Sequence, residues 1–165
     1  MTPGNLTQLR RLNALRCLDL IPAVEIVTWA SERVAYDDDL LRLAALSPTS
    51  GSSEIDYEAR LALLAAGSEA TTEESAARLV ARDVATSIRD GVVEPIAGAR
   101  QLWSVARRVP QVEPELRAFV GMASEWEDSA EFRSQYDVDI VECARRYIEP
   151  LQYKGDKWIA ACGDC

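Results

Sequence analysis

The sequence predicts an all-α protein, an irregular multi-helix bundle of about eight helices, mostly antiparallel neighbours. Three observations lead there. Apolar residues recur at helical spacing in segment after segment. Proline, glycine and aspartate punctuate those segments where helices start and stop. The only strand-like runs, Gly91–Val93 and Leu151–Tyr153, are short and fit turns better.

Each element has its own signal. Over Asn5–Leu20, Leu6, Leu9, Leu12, Leu15 and Leu18 recur every third residue with Arg and Asn between them, one apolar stripe on a helix whose other side is wet. Pro22 suits a first helical turn, where its missing N–H costs nothing, and opens a segment over Ala23–Val34. Asp37, Asp38 and Asp39 precede Leu40–Leu46, where a carboxylate can cap free N–H groups and favours the positive end of the helix dipole. Ser47–Ser53 reads as a loop. Glu54–Ala66 is a helix closed by Gly67. Thr71 and Glu74 match a capping box, with Thr72 competing one residue later. The following helix carries Ala77, Val80, Val84 and Ile88 on one face and ends at Gly91. Glu94-Pro95 starts the next stripe, Ile96, Ala99, Leu102, Trp103 and Ala106, which Pro110 ends. Glu113-Pro114 opens a helix to about Trp126. Asp128 or Ser129 caps a last helix through Ile148, with Phe132, Tyr136, Ile140, Cys143, Ala144 and Tyr147 expected on its buried face.

A chain of 165 residues is expected to form one helical domain over residues 1–150 with a loosely ordered tail over 151–165. The N-terminal apolar run is broken by Asp19, Pro22 and Glu25, unlike a secretory signal, and no window suits a transmembrane helix. The four cysteines are too few for a disulfide scaffold, so the expected compartment is the cytoplasm, with reduced thiols. Cys162 and Cys165 form a C-terminal CxxC whose readings are incidental cysteines in a tail, a labile disulfide, or a metal site that Cys17 and Cys143 would have to complete.

Charge is the most informative property of the composition. There are 27 acidic residues, 18 basic ones and no histidine. Nine carboxylates and only two arginines fall between Glu113 and Glu142. Such a field repels nucleic acid and anionic membrane and attracts a basic protein. The missing histidine removes the commonest general base and rules out the usual Ser or Cys triad. Phosphate loops, dinucleotide fingerprints, GxSxG and HExxH motifs are also missing. The expectation is therefore no catalytic residue, no cofactor and no metal. A carboxylate pair such as Glu125 and Asp128 would leave acid–base or Mg²⁺-dependent hydrolysis as the minor reading. The acidic band reads either as a solvated face or as a docking surface. Its binding candidates are Asp37, Asp38, Asp39, Glu125, Glu127, Asp128, Glu131, Asp137 and Asp139, with Trp126 as an aromatic anchor bracketed by acids.

The run Ile88–Arg100, followed by Leu102-Trp103 and Leu116–Asp128, resembles a pattern in small all-helical bacterial proteins, some of them immunity proteins of toxin–immunity pairs. That resemblance covers Thr72–Ile148. It implies a small, acidic, cytosolic inhibitor that blocks a secreted toxin by tight binding, and it assigns no inhibitory residue; the chain's own acidity adds the expectation that such a toxin is basic. The alternative is a structural or regulatory helical adaptor that self-associates.

Overall fold

The computed structural model describes residues 1–149. The expected tail, 151–165, and its two cysteines lie outside the described residues. Among the described residues there are eight α-helices and no strand. They are α1 (Pro3–Cys17), α2 (Val24–Ser31), α3 (Leu41–Ala44), α4 (Ser52–Ala65), α5 (Glu73–Arg89), α6 (Pro95–Arg108), α7 (Glu113–Asp128) and α8 (Arg133–Ile148). Single 3₁₀ turns at Val34–Tyr36, Asp38–Leu40, Pro110–Val112 and Ala130–Phe132 connect some of them. The chain divides into two compact units, Met1–Val80 and a second beginning at Ala81. None of the described helices is long and apolar enough to cross a membrane.

The first unit packs α1, α2, α3 and α4 around Leu9, Ile26, Val27, Ala30, Leu40, Leu43, Ile55, Ala59 and Leu63. The stripe on α1 works as its spacing predicts: Leu9, Leu12 and Leu18 are buried, and Leu6 and Leu15 are half-buried. Its bounds shift toward the N-terminus because Thr2 caps it, accepting from the Asn5 N–H, and Pro3 occupies the first turn. Its end carries a residue that sequence does not flag. Asp19 adopts a left-handed φ of 46°, and Leu20 donates back to Leu15 while Asp19 donates to Arg16. This is the Schellman closure that glycine usually makes. Gly67 and Gly91, with φ of 76° and 69°, make it at the ends of α4 and α5 as their positions predict.

Several expected details differ. Pro22 lies before the N-cap of α2 and outside its first turn, and that helix stops at Ser31. Helix α4 starts at Ser52, inside the expected loop. Thr72 wins over Thr71 as cap of α5: its Oγ1 accepts from Ser75 N–H at 3.1 Å, and Ser75 Oγ accepts in return from Thr72 N–H at 2.9 Å. Ser75 thus plays the part expected of Glu74. Thr71 instead accepts from the Asn13 side chain at 2.9 Å.

The second unit contains α6, α7 and α8, which contact one another pairwise. Leu102, Val105, Leu116, Phe119, Ile140 and Ala144 are buried there, and Phe119 meets Tyr147 edge-on with centroids 6.0 Å apart. Pro95 occupies the first turn of α6, and Val109, pushed out of the helical region before Pro110, ends it. On α8 the expected face holds at Ile140 and Ala144, with Tyr136, Cys143 and Tyr147 half-buried. Phe132 departs from it: the residue sits in the 3₁₀ turn before α8 and is 55% exposed. Neither Asp128 nor Ser129 caps α8 by a side-chain bond, because that turn intervenes.

Gly98 marks a close approach in this unit. A Cβ there would collide with the Ile88 side chain, itself 1% exposed, and would lie 3.5 Å from Val93 Cγ1. Alanine gains about 1 kcal/mol of helix propensity over glycine. Overpacking against a buried isoleucine costs about 1–3 kcal/mol, so the clash dominates. Urea unfolding of Gly98→Ala should show a lower midpoint than the parent; an equal or higher midpoint would refute this packing.

Candidate protein-binding surface

The acidic residues named from sequence separate into those engaged by the chain's own groups and those left open. Asp37 belongs to the first class. The residue is only 7% exposed, and its carboxylate accepts from Thr2 N–H and from the Asn5 side chain, both at 2.8 Å. The Met1 amino group lies 3.8 Å from its other oxygen, which also accepts from Asp39 N–H at 3.3 Å. Burial by itself would raise this carboxyl; the donors from Asn5 and Thr2 and the nearby ammonium outweigh it and hold the group below its ordinary value. Asp39 is exposed and pairs with the Met1 amino group, while Asp38 is exposed. Asp37 thus joins the start of α1 to the turn that leads into α3.

In the second unit, arginines at helical spacing engage part of the band. Arg117 bonds Glu113 at 3.1 Å through both Nε and Nη2 and lowers its carboxyl below the ordinary value. Glu142 takes Arg146 at 3.3 Å and Arg145 at 3.6 Å, and Glu127 takes Arg100 of α6 at 3.1 Å. Asp139 accepts from the Gln135 side chain at 2.9 Å. Asp137 is half-buried, and its Oδ1 is buried with no hydrogen-bond partner among the described residues. Glu125, Asp128 and Glu131 are exposed and have no ion-pair partner among the described residues.

Trp126 sits at the end of α7, half-buried. The Arg133 guanidinium lies over its ring at 4.3 Å from the centroid, and the Arg100 guanidinium at 5.4 Å. Arg133 Nε also donates to the Trp126 carbonyl at 3.2 Å. The indole Nε1 is buried without a hydrogen-bond partner among the described residues. The acids that flank Trp126 in sequence suggest a basic partner for it; the cations that the structure places on it are the chain's own. The exposed aromatic at this corner is Phe132, beside Glu131. Its position outside the α8 face is invisible to a periodicity count that runs the helix through it.

Elsewhere the first unit has a cleft of about 220 Å³ lined by Asn13, Arg16, Cys17, Asp56, Arg60 and Glu69, among others. Arg16 is held there by Asp56 at 3.0 Å, with Asp19 also at 3.0 Å. Burial, then the fields of Glu73 and Asp19, push the Cys17 thiol up, away from a thiolate nucleophile. Among the described residues no three Cys, Asp or Glu side chains group to hold a metal ion. No protein-family model, curated protein or solved structure matches the chain.

The Asp37 geometry sets a pH dependence. A carboxyl lowered by folding is protonated more readily in the unfolded chain, so its contribution is full above the ordinary carboxylate range and fades as pH falls through the lower folded value. Asp37→Asn keeps the shape but presents N–H groups to donors, and should cost about 1–3 kcal/mol near neutral pH. The gap between parent and variant, followed by urea unfolding from about pH 7 to about pH 2, should close at the acid end. A gap that stays constant over that range would contradict the assignment.

Proposed function

We propose that the chain is a non-enzymatic binding domain that docks a basic protein through the acidic surface of α7 and α8, acting as an immunity-type inhibitor of a basic toxin in the cytoplasm. The observation that carries the reading is the set Glu125, Asp128 and Glu131, exposed around the turn between α7 and α8 with no cation of the chain's own among the described residues. Neighbouring carboxylates repel one another, and an arriving cationic surface relieves that repulsion. Phe132, exposed in the same turn, adds an apolar contact within a charged rim. No nucleic acid or membrane fits this field, and the reading requires neither cofactor nor metal.

Association with a basic partner driven by opposite fields is fast at low salt and slows as salt rises. Reversing the three open charges, as Glu125→Lys, Asp128→Lys and Glu131→Lys together, should reduce the association rate by about tenfold or more at low ionic strength and flatten its salt dependence. Stopped-flow or surface-plasmon measurement against a basic partner protein reads both. An unchanged rate and salt slope in the triple variant would refute this surface as the docking face.

A further inference from the structure

We propose that the cleft between α1 and α4 binds a free apolar α-amino acid of about leucine's size, with Arg60 receiving its carboxylate and Glu69 its ammonium. The site lies wholly in the first unit and does not rest on the acidic surface of α7 and α8.

The walls of the cleft follow from helical spacing. Asn13, Arg16 and Cys17 share one face of α1, and Asp56, Arg60, Leu63 and Leu64 share one face of α4. The segment after Gly67 closes the third side. Left-handed Gly67 ends α4, and Ser68 N–H donates back to the Leu63 carbonyl at 2.9 Å. Side chains of α1 then pin that segment: Arg10 Nε donates to Ser68 Oγ at 2.8 Å and Asn13 Nδ2 to Thr71 Oγ1 at 2.9 Å. Across from it, Arg16 joins α1 to α4, donating to the two Asp56 oxygens at 3.0 and 3.2 Å. The chain's own bonds thus hold the cleft open, as a preformed ligand site requires.

Those bonds occupy the wall-holding polar groups and leave others over. Arg60 and Glu69 line the cleft on different walls, and neither has an ion-pair or hydrogen-bond partner among the described residues. Asp19 shares Arg16 with Asp56, and its side chain, 64% exposed, sits at the rim where water screens it. The cleft therefore offers one uncommitted cation and one uncommitted anion. An anion alone would meet Glu69, and a cation alone would meet Arg60; a zwitterion satisfies both. Leu63 and Leu64, one turn beyond Arg60, give its side chain an apolar contact, and Leu64 is 48% exposed for it. The volume of about 220 Å³ falls below the roughly 300–1,000 Å³ of drug-sized ligand sites, which suits one amino acid better than a nucleotide or peptide.

The test uses the full chain with L-leucine, 4-methylpentanoate, which lacks the ammonium, and 3-methylbutylamine, which lacks the carboxylate. Isothermal titration should show saturable leucine binding below about 10 mM, and each analogue should bind more weakly by about tenfold or more. Arg60→Gln should weaken leucine by about tenfold without weakening the amine, and Glu69→Gln should do so without weakening the carboxylate. Both side chains are exposed, so both variants should keep the parent's urea midpoint. Cys17, half-buried in the same cleft, gives an independent reading. Its alkylation by iodoacetamide at mildly alkaline pH, followed by peptide mass, should slow as leucine binds, with Cys143 unaffected. Either analogue binding as tightly as leucine would overturn the assignment to a zwitterion. No saturable leucine binding up to about 10 mM would overturn the site. Leucine binding that both variants leave intact, with Cys17 unprotected, would lie elsewhere and overturn it equally.

Discussion

The contact of two guanidiniums with the Trp126 indole is the constraint on which the second unit's surface depends. It draws on three helices: the ring ends α7, Arg100 comes from α6 and Arg133 opens α8. An exposed ion pair such as Arg100–Glu127 contributes about 0–1 kcal/mol, whereas a cation over a partly desolvated indole contributes about 0.5–2 kcal/mol. The buried indole N–H, which has no hydrogen-bond partner among the described residues, opposes this by about 1–3 kcal/mol. Burial of the ring and the two cations must together exceed that cost. The first unit repeats the device on a smaller scale: Arg33 lies 5.3 Å from the Trp29 ring centroid and donates to the Trp29 carbonyl, and Trp29 Nε1 is also buried with no hydrogen-bond partner among the described residues.

This arrangement decides which acids remain open. Arg133 is one of only two arginines between Glu113 and Glu142, and it is directed to the ring and its carbonyl. The other, Arg117, bonds Glu113 one turn before it. Arg145 and Arg146 converge on Glu142. The turn between α7 and α8 is therefore left with Glu125, Asp128 and Glu131, which have no ion-pair partner among the described residues. Phe132 is exposed in the same turn.

Helical stripes, Gly67 and Gly91 as helix ends, and Pro95, Pro110 and Pro114 as punctuation were legible because each depends on a residue's own backbone preference or on spacing within one element. Asp19 was not, because a left-handed aspartate depends on its neighbours, here Arg16 at 3.0 Å. Asp37 reads in sequence as one of three surface acids. That it is buried depends on Thr2 and Asn5, more than thirty residues away in the chain. Trp126 shows the same limit more sharply: acids beside an aromatic signal attraction for cations, but local sequence cannot tell whether those cations belong to a partner or to Arg100 and Arg133. Phe132 was misplaced because a helix with a continuous stripe gives no local sign of the 3₁₀ turn that starts it one turn late.

The most direct measurement is a double-mutant cycle between Trp126 and Arg133, using Trp126→Leu and Arg133→Met so that apolar bulk stays in place. The bond from Arg133 Nε to the Trp126 backbone carbonyl is available in Trp126→Leu as well, so the cycle isolates the ring contact. Urea unfolding of the four proteins should give a coupling of about 1 kcal/mol favouring the native pair. Additive effects, within about 0.3 kcal/mol, would mean that the guanidinium does not hold the indole and that the corner owes its form to something else.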